Sequence, residues 1–194
     1  MITNRKEYLE YLEADKIALG INITHSKLRE LIIPNPCWQF QKLLRKLEYY
    51  QNCKKNLSLN VYYYHLRYKF RKLSIKLGFS IPQNVFGPGL AIVHYGTIIV
   101  SNEARIGKNC RLHACTNIGA SGGNPEAPQI GDNVYIGPGA IIYGNIKIGN
   151  NIAVGANATV NKSFEEDNIM IAGSPARKIK EIDISKIIKH VTIK

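Results

Sequence analysis

Histidine is the side chain of this sequence best suited to chemistry near neutral pH, because its imidazole can take up and release a proton there. His94 stands out among the five histidines. Aliphatic residues recur at every sixth position after it, and counting back six from Val100 gives His94 where an aliphatic side chain is expected. A local exception in a regular pattern is typical of functional sites. We therefore predict that His94 is a general base that accepts the proton of an attacking hydroxyl, with a structural core histidine as the alternative.

A second histidine, His113, directly follows Leu112, which keeps the six-residue pattern. This place predicts an exposed corner of the chain, from which His113 could help to position an acceptor molecule. A zinc site is the rival chemistry, but it needs three histidines, two of them in an H-x4-H pair. The other three histidines lie outside the repeats, so we predict no metal site; they are His25, His65 and His190.

The six-residue pattern predicts the element that carries these histidines. A helix has a period of 3.6 residues and a strand a period of 2, so a period of six fits neither alone. It is typical of a β-helix in which three six-residue edges form one triangular coil. Glycine often follows the aliphatic residue, where we expect corners with positive φ. The exception is Asn124, inside a loop predicted to leave the coil. The aliphatic positions are Val100, Ile106, Leu112, Ile118, Ile130, Ile136, Ile142, Ile148, Val154 and Val160.

The chain divides into a helical region (1–78), a β-helix domain (79–179) and a basic tail (180–194) that could form a short helix. The last predicted helix places Tyr63, Leu66, Phe70, Leu73 and Leu77 on one apolar seam, with Gly78 as its stop. Its outer side is basic and aromatic. We favour packing of the seam on the end of the β-helix, with an interfacial helix on anionic lipid or a subunit contact as alternatives.

Composition limits the class of protein. The net charge of +12 is concentrated at the ends, since the first 80 residues hold 15 Lys and Arg against 6 acidic residues. No nucleic-acid-binding motif accompanies this charge, so we expect an anionic substrate or an anionic membrane surface instead. No apolar run is long enough to span a membrane, and no leader is visible. The four cysteines form no CxxC pair. We expect a cytoplasmic protein, with a peripheral position at the inner membrane face as an alternative.

The segment GLAIVHYGTIIV around His94, the repeats and the closing AGSPARKI together resemble the serine acetyltransferase branch of the hexapeptide-repeat acyltransferases. This branch includes enzymes that O-acetylate sugars of bacterial surface polysaccharides. The resemblance covers about residues 79–179. It implies a mainly β fold, a left-handed parallel β-helix with an N-terminal α-helical region. It also implies a homotrimer with active sites between subunits, and acetyl-CoA as a co-substrate without a permanently bound cofactor.

The resemblance further implies the residues around each substrate. Small residues would keep a groove open for the pantetheine arm, and cations after the last coil would meet the phosphates, unless they form a solvated tail. The predicted acetyl-CoA contacts are Gly119, Ala140, Ala156, Ala158, Arg177 and Lys178. A backbone N–H within residues 119–123 would stabilise the oxyanion. The predicted acceptor contacts are Phe79, Asn84, Tyr95, His113 and Glu126. Asn84, Glu126 or a backbone carbonyl could orient the imidazole.

Three departures from the serine enzymes bear on the acceptor. Where the resemblance implies two acids and a histidine, this chain has Phe79, Val93 and Ala127. Without partners, the ammonium group of serine would be desolvated at a cost. We therefore expect acetyl transfer to a sugar hydroxyl in cell-surface polysaccharide biosynthesis. Serine O-acetylation is the alternative, and a non-catalytic structural solenoid is a remoter one.

Overall fold

In the first part of the chain, the residues that the structure describes form three helices. The computed structural model describes residues 1–21, 32–54 and 60–191, in which α1 spans Arg5–Ala18, α2 spans Pro36–Cys53 and α3 spans Val61–Leu77. An asparagine caps each helix by accepting a hydrogen bond from a backbone N–H of the first turn. Gly78 ends α3 with φ of 76°, as predicted. The predicted seam of α3 is also confirmed, because Leu66 and Leu77 are buried and Phe70 packs against the core.

A parallel β-helix follows the helices. Its strands are β1 (Phe79–Ser80), β2 (Ala91–Ile92), β3 (Ile98–Val100), β4 (Arg105–Ile106), β5 (Arg111–Leu112), β6 (Thr116–Gly119), β7 (Gln129–Ile130), β8 (Tyr135–Ile136), β9 (Ile141–Tyr143), β10 (Lys147–Ile148), β11 (Ala153–Val154), β12 (Thr159–Val160), β13 (Ile169–Ala172) and β14 (Arg177–Glu181). Sheet A has the strand order β1-β3-β6-β9-β12, sheet B β10-β7-β4 and sheet C β14-β13-β11-β8-β5-β2. The chain visits the three sheets in turn, so that five coils stack on one another, and only β14 pairs antiparallel among the described strands.

The aliphatic residues of the six-residue pattern fill the interior of the β-helix. All ten of them are buried, and they stack in columns because the strands pair in register, as Leu112 does with Ile136. Burying these branched side chains removes apolar surface from water, and this stabilises the fold by roughly 25 cal/mol for each Å² buried. The predicted core is therefore confirmed.

The glycines of the pattern have a different role from the predicted one. Gly107, Gly131 and Gly137 are not in the positive-φ region; instead, a Cβ atom on any of them would lie 2.7–2.8 Å from the backbone of the next coil. They allow close stacking of the coils. Asparagines take positive φ near the coil corners, as at Asn133 (58°) and Asn151 (56°), since their short polar side chains tolerate that conformation.

The six-residue count does not continue back through His94. Ile92 pairs with Leu112 and Val100 pairs with Ile118, so eight residues separate the inward positions of the first coil where the next coil has six. The corner between β2 and β3 is thus two residues longer. His94 therefore does not stand in the place of a repeat aliphatic residue, as counting back six from Val100 predicts, because Ile92 fills that place and His94 is exposed in the longer corner.

A buried ion network fixes the helices to the first coil. The Arg45 guanidinium on α2 donates to the Asp15 carboxylate at 2.8 Å and to Glu48 at 3.0 Å, and all three residues are buried. It also donates to the carbonyl oxygens of Phe86 and Gly87. These carbonyls belong to the coil that continues into β2 and the corner with His94, so the helices position that corner.

The C-terminal segment covers the outer face of sheet C. After β14, a 3-10 turn spans Ile184–Lys186, which is less than the predicted short helix. Ile184 and Ile188 are buried and pack with Ala153 and Tyr135 of sheet C. Among the described residues, no helix combines the length and the apolar character needed to cross a membrane.

Candidate active site

The two histidines of the β-helix, His94 and His113, lie at the same corner of its triangular cross-section. We call the residues that link sheet C to sheet A in successive coils (93–97, 113–115, 137–140 and 155–158) the histidine corner. His94 and His113 lie in its first two coils, with ring centroids 5.9 Å apart. Tyr95, next to His94, is 66% exposed. None of the described residues hydrogen-bonds the His94 imidazole, so its ring nitrogens face solvent and can reach a substrate hydroxyl.

His113 is half-buried, which corrects the prediction of an exposed corner histidine. Its ring lies between His94 and Tyr135, whose ring centroid is 5.1 Å away, and Nε2 is buried with no partner among the described residues. Burial first, then the charges of Arg111 and His94, lowers the pKa of His113 from its ordinary value. His113 is therefore neutral near pH 7. The burial was missed because Tyr135 follows 22 residues later and meets His113 only through coil stacking.

The histidine corner continues as an open edge down the β-helix. Ala114, Pro138 and Ala156 follow below His94 on successive coils, as the backbone bonds from Gly139 to Ala114 and from Asn157 to Pro138 show. Arg177 pairs with Ala172 on the last coil and is exposed at the base of this edge. Neighbouring strands are about 4.8 Å apart, and β2 and β14 are separated by five such spacings in sheet C, so His94 and Arg177 lie roughly 24 Å apart along the β-helix.

The predicted acetyl-CoA contacts separate into two groups. Ala156 is exposed on the histidine corner and Arg177 is exposed at its base, so a chain-like ligand could lie between them. Ala140 and Ala158 are fully buried and point into the core, so they cannot line a groove. Lys178 pairs with Glu166 and Glu181, which reduces its availability for a phosphate. The six-residue count gave the positions of these residues but not the side to which they point.

Gly119 and the loop 120–128 lie at the opposite edge of sheet A from His94. β6 (Thr116–Gly119) crosses that sheet, and four strand residues span about 13 Å. The predicted oxyanion donors within residues 119–123 are therefore not brought to His94 within one chain. Glu126 belongs to the same loop, where Asn145 and Asn124 contact its carboxylate.

Two other predicted acceptor contacts are wrong on structural grounds. Phe79 is 5% exposed and packs edge-on against Phe40 with a centroid distance of 4.9 Å. Asn84 exchanges hydrogen bonds with Asn52, and its backbone N–H donates to Glu48, so it joins α2 to the first coil and does not orient His94. Of the predicted acceptor residues, only Tyr95 and His113 adjoin His94.

A separate cavity lies away from the histidine corner. It has a volume of about 550 Å³ and runs along sheet B, where Arg105, Gln129 and Lys147 line it together with Glu48 and Asp167. No histidine lines it, and no pattern in the sequence predicts it. Across residues 1–21, 32–54 and 60–191, no group of three or more His, Cys, Asp or Glu side chains is placed to hold a metal ion. The histidine corner is therefore an open edge with two imidazoles and no cation site among the described residues.

Known proteins resemble parts of this chain in sequence. The family described as bacterial transferase hexapeptide (six repeats) matches residues 127–162. Serine acetyltransferase of Mycobacterium tuberculosis is 33% identical over 100 residues, which are 50% of this chain and 43% of that protein. Serine acetyltransferase of Synechococcus elongatus is 30% identical over 95 residues, 48% of this chain and 38% of that protein. The chain thus spans less than half the length of these relatives.

A solved structure establishes the fold class. Serine acetyltransferase of Brucella abortus, in complex with coenzyme A, aligns with a TM-score of 0.69 and 22% identity, covering 92% of this chain and 70% of that chain. The fold is a left-handed β-helix with N-terminal helices, as predicted.

The predicted sugar acceptor of polysaccharide biosynthesis is contradicted by these relatives, which are serine acetyltransferases, and the serine alternative is the better supported. The structure gives a physical reason for the error. Phe79 and Ala127, two of the residues expected to meet the acceptor, are both buried. Since a buried side chain does not contact the acceptor, neither residue indicates whether the acceptor is charged.

Proposed function

We propose that this protein is an acetyl-CoA-dependent O-acetyltransferase of the serine acetyltransferase type, which acetylates the hydroxyl of L-serine. The observation that carries the proposal is the solvent-facing His94 in a lengthened β-helix corner, paired with a second imidazole on the next coil. The serine acetyltransferases that match about half of the chain support the choice of serine.

His94 would act on the proton of the acceptor. As the serine oxygen attacks the thioester carbonyl, His94 takes its proton and becomes an imidazolium. The tetrahedral intermediate then collapses with cleavage of the carbon–sulfur bond, and the departing thiolate takes the proton back. The products are O-acetylserine and coenzyme A, and His94 is neutral again.

Acetyl-CoA would lie along the histidine corner. The exposed Ala156 leaves room for the pantetheine arm, and the Arg177 guanidinium at the base of the edge can bind a phosphate group. An extended ligand with its phosphates at the Arg177 side chain would run back along this edge, over five strand spacings or roughly 24 Å, and place its thioester towards His94. The Brucella abortus structure, solved with coenzyme A, supports acetyl-CoA as the co-substrate.

We further propose that the active enzyme is a homotrimer. On the outer face of sheet A, Ile99 and Ile141 are each 43% exposed and flank Asn117. This apolar face lies between the histidine corner and the loop 120–128. Three copies arranged with these faces towards a three-fold axis would place the loop of one copy beside His94 of the next. The loop would then supply oxyanion donors, and Glu126 could pair with the serine ammonium.

Serine-dependent consumption of acetyl-CoA tests the proposal. Loss of the thioester absorbance should require L-serine, and mass spectrometry should identify O-acetylserine. L-Threonine and L-alanine are matched acceptors, since the first tests tolerance of a methyl group and the second lacks the hydroxyl. Turnover that is equal with L-alanine, or absent with every hydroxyl acceptor, would contradict the proposal.

A further inference from the structure

The outer face of α3 carries large apolar side chains in contact with solvent. Only Leu66 and Leu77 are buried among its 17 residues. Val61, Tyr64, Tyr68 and Ile75 are 82%, 50%, 60% and 73% exposed. Their spacings of 3, 4 and 7 residues place them on one side of the helix, opposite the seam that packs on the core. We call this set the outer stripe.

Cations flank the outer stripe on both sides. Val61–Leu77 contains five Lys and Arg and no Asp or Glu. Arg67 stacks over Tyr63 and Lys72 over Tyr68, with 5.9 Å and 5.3 Å between the charged group and the ring centroid. No carboxylate in the described part of the chain forms an ion pair with these cations. The helix thus presents an apolar stripe between two basic borders.

A cavity adjoins one border of the outer stripe. It lies between α2 and α3, with a volume of about 320 Å³. Its polar lining comes from Arg67, Arg71, Tyr63 and the amides of Gln51 and Gln83, and no carboxylate lines it. Two guanidiniums with neighbouring hydrogen-bond donors suit a phosphate group.

We propose that the outer face of α3 binds an anionic phospholipid surface, with a lipid phosphate in the cavity and the outer stripe among the headgroups. Helices with an apolar stripe and basic borders lie in the plane of the membrane interface. Tyrosine suits this depth because its ring is apolar and its hydroxyl stays hydrated. The long cationic side chains can extend towards the lipid phosphates while their stems cover apolar surface.

Two other occupants fit less well. A second copy of the chain meeting this face across a two-fold axis would bring five cations against five cations, with no acid on α3 to pair with them. Nucleic acid would suit the cations and the rings of Tyr64 and Tyr68, but it would leave the exposed aliphatic side chains of Val61 and Ile75 without a partner. The combination of exposed aliphatic residues with unbalanced cations favours a lipid surface.

Vesicle co-sedimentation with the full chain tests this proposal. Vesicles of phosphatidylcholine containing phosphatidylglycerol should bind the protein at low salt, and pure phosphatidylcholine vesicles should not. Added salt should weaken the binding, because the attraction is electrostatic. The double variant Arg67→Glu, Arg71→Glu should bind roughly 10- to 100-fold more weakly. The matched control Lys186→Glu, Lys189→Glu makes the same change in net charge away from α3 and should bind like the unmodified protein.

The apolar part of the face has its own test. Tyr64→Ser with Tyr68→Ser should weaken vesicle binding at every salt concentration, and tryptic digestion rates should show that the variant remains folded. Equal loss of binding in the Lys186, Lys189 control would overturn the proposal, as would equal binding to both vesicle types. The proposal would also be overturned if the Arg67, Arg71 variant bound vesicles normally and differed from the unmodified protein only in RNA binding or only in oligomeric mass. None of these residues belongs to the histidine corner, so the outcome is independent of acetyl transfer.

Discussion

At the scale of single residues, the state of His113 matters for the chemistry of His94. A base that accepts a proton becomes a cation, and a second cation 5.9 Å away would oppose that step. The lowered pKa of His113 removes this obstacle, because its ring is uncharged at the pH where His94 must work. His113 Nε2 is buried with no hydrogen-bond partner among the described residues, and a buried polar atom left in that state costs about 1–3 kcal/mol. Such a cost is typical of functional sites.

The first residue-scale prediction concerns His94. His94→Ala should lower kcat by about 10²- to 10⁴-fold, the usual contribution of a general base, while the fold is retained because the side chain is exposed. Steady-state assays with acetyl-CoA and L-serine measure the effect. His65→Ala removes a histidine from the exposed side of α3 and is the matched control. Turnover near that of the unmodified protein would remove His94 from the catalytic role.

The second residue-scale prediction is a pH dependence. In the unfolded chain His113 has its ordinary pKa of 6.5, and in the folded protein the pKa is lower. The unfolded state therefore binds more protons between the two values, so the contribution of His113 to stability is present above pH 6.5 and is lost as the pH falls through the folded pKa. The melting temperature of the unmodified protein minus that of His113→Gln should therefore fall as the pH is lowered from about 8 to about 5. Melting temperatures of the two proteins that change in parallel with pH would contradict this prediction. His190 also has a lowered pKa, but it is present in both proteins and does not affect the difference.

At the scale of elements, the coils stack closely because glycines stand where the backbones of neighbouring coils meet. A Cβ on Gly137 would lie 2.8 Å from the backbone nitrogen of Ala156. Gly137 also lies directly below His113 in register, so the same stacking supports the histidine corner.

The element-scale prediction compares two glycines. Gly137→Ala should reduce the free energy of unfolding by about 1–3 kcal/mol, because the neighbouring backbone has to move. Gly122→Ala, in the loop 120–128 with nothing within 4 Å of its added Cβ, should change it little. Urea denaturation of both variants measures the difference. Equal midpoints would show that the coils absorb a methyl group without strain.

The sequence predicted the elements better than the site. Inward aliphatic positions from Val100 to Val160 follow from a period that repeats locally, so they could be read directly. The longer corner at His94 could not, because its length is visible only once Ile92 is paired with Leu112. The network of Arg45 with Asp15 joins residues 30 positions apart, and no local pattern marks it. The direction of a side chain could not be predicted either, since spacing alone does not show that Ala140 points into the core.

At the scale of the whole molecule, the candidate site is divided between two edges of sheet A. His94 and His113 lie at one edge, and the loop with Glu126 lies at the other. An exposed apolar face separates them, with Ile99 and Ile141 at 43% exposure. Assembly through that face would both cover the apolar surface and complete the site.

The whole-molecule prediction is a trimer that depends on this face. Light scattering should give three times the mass of the chain, and Ile99→Glu with Ile141→Glu should shift the protein towards monomers with a parallel loss of acetyl transfer. Ile179→Glu places a charge on β14, where the isoleucine is 57% exposed, and should leave the mass unchanged. An unmodified protein that is monomeric and active would contradict the assembly.

The closure of the two ends of the β-helix has a consequence for solubility. At the first coil, Asp15 accepts hydrogen bonds from the N–H groups of Gly89 and Leu90, and Gln41 accepts from the Ile92 N–H and donates to the Leu90 carbonyl. At the last coil, β14 runs antiparallel and carries Arg177, Lys178 and Lys180. An open parallel edge is a template on which further strands add. With one edge occupied by helices and the other reversed and basic, copies of this chain cannot continue the ladder end to end into a fibre.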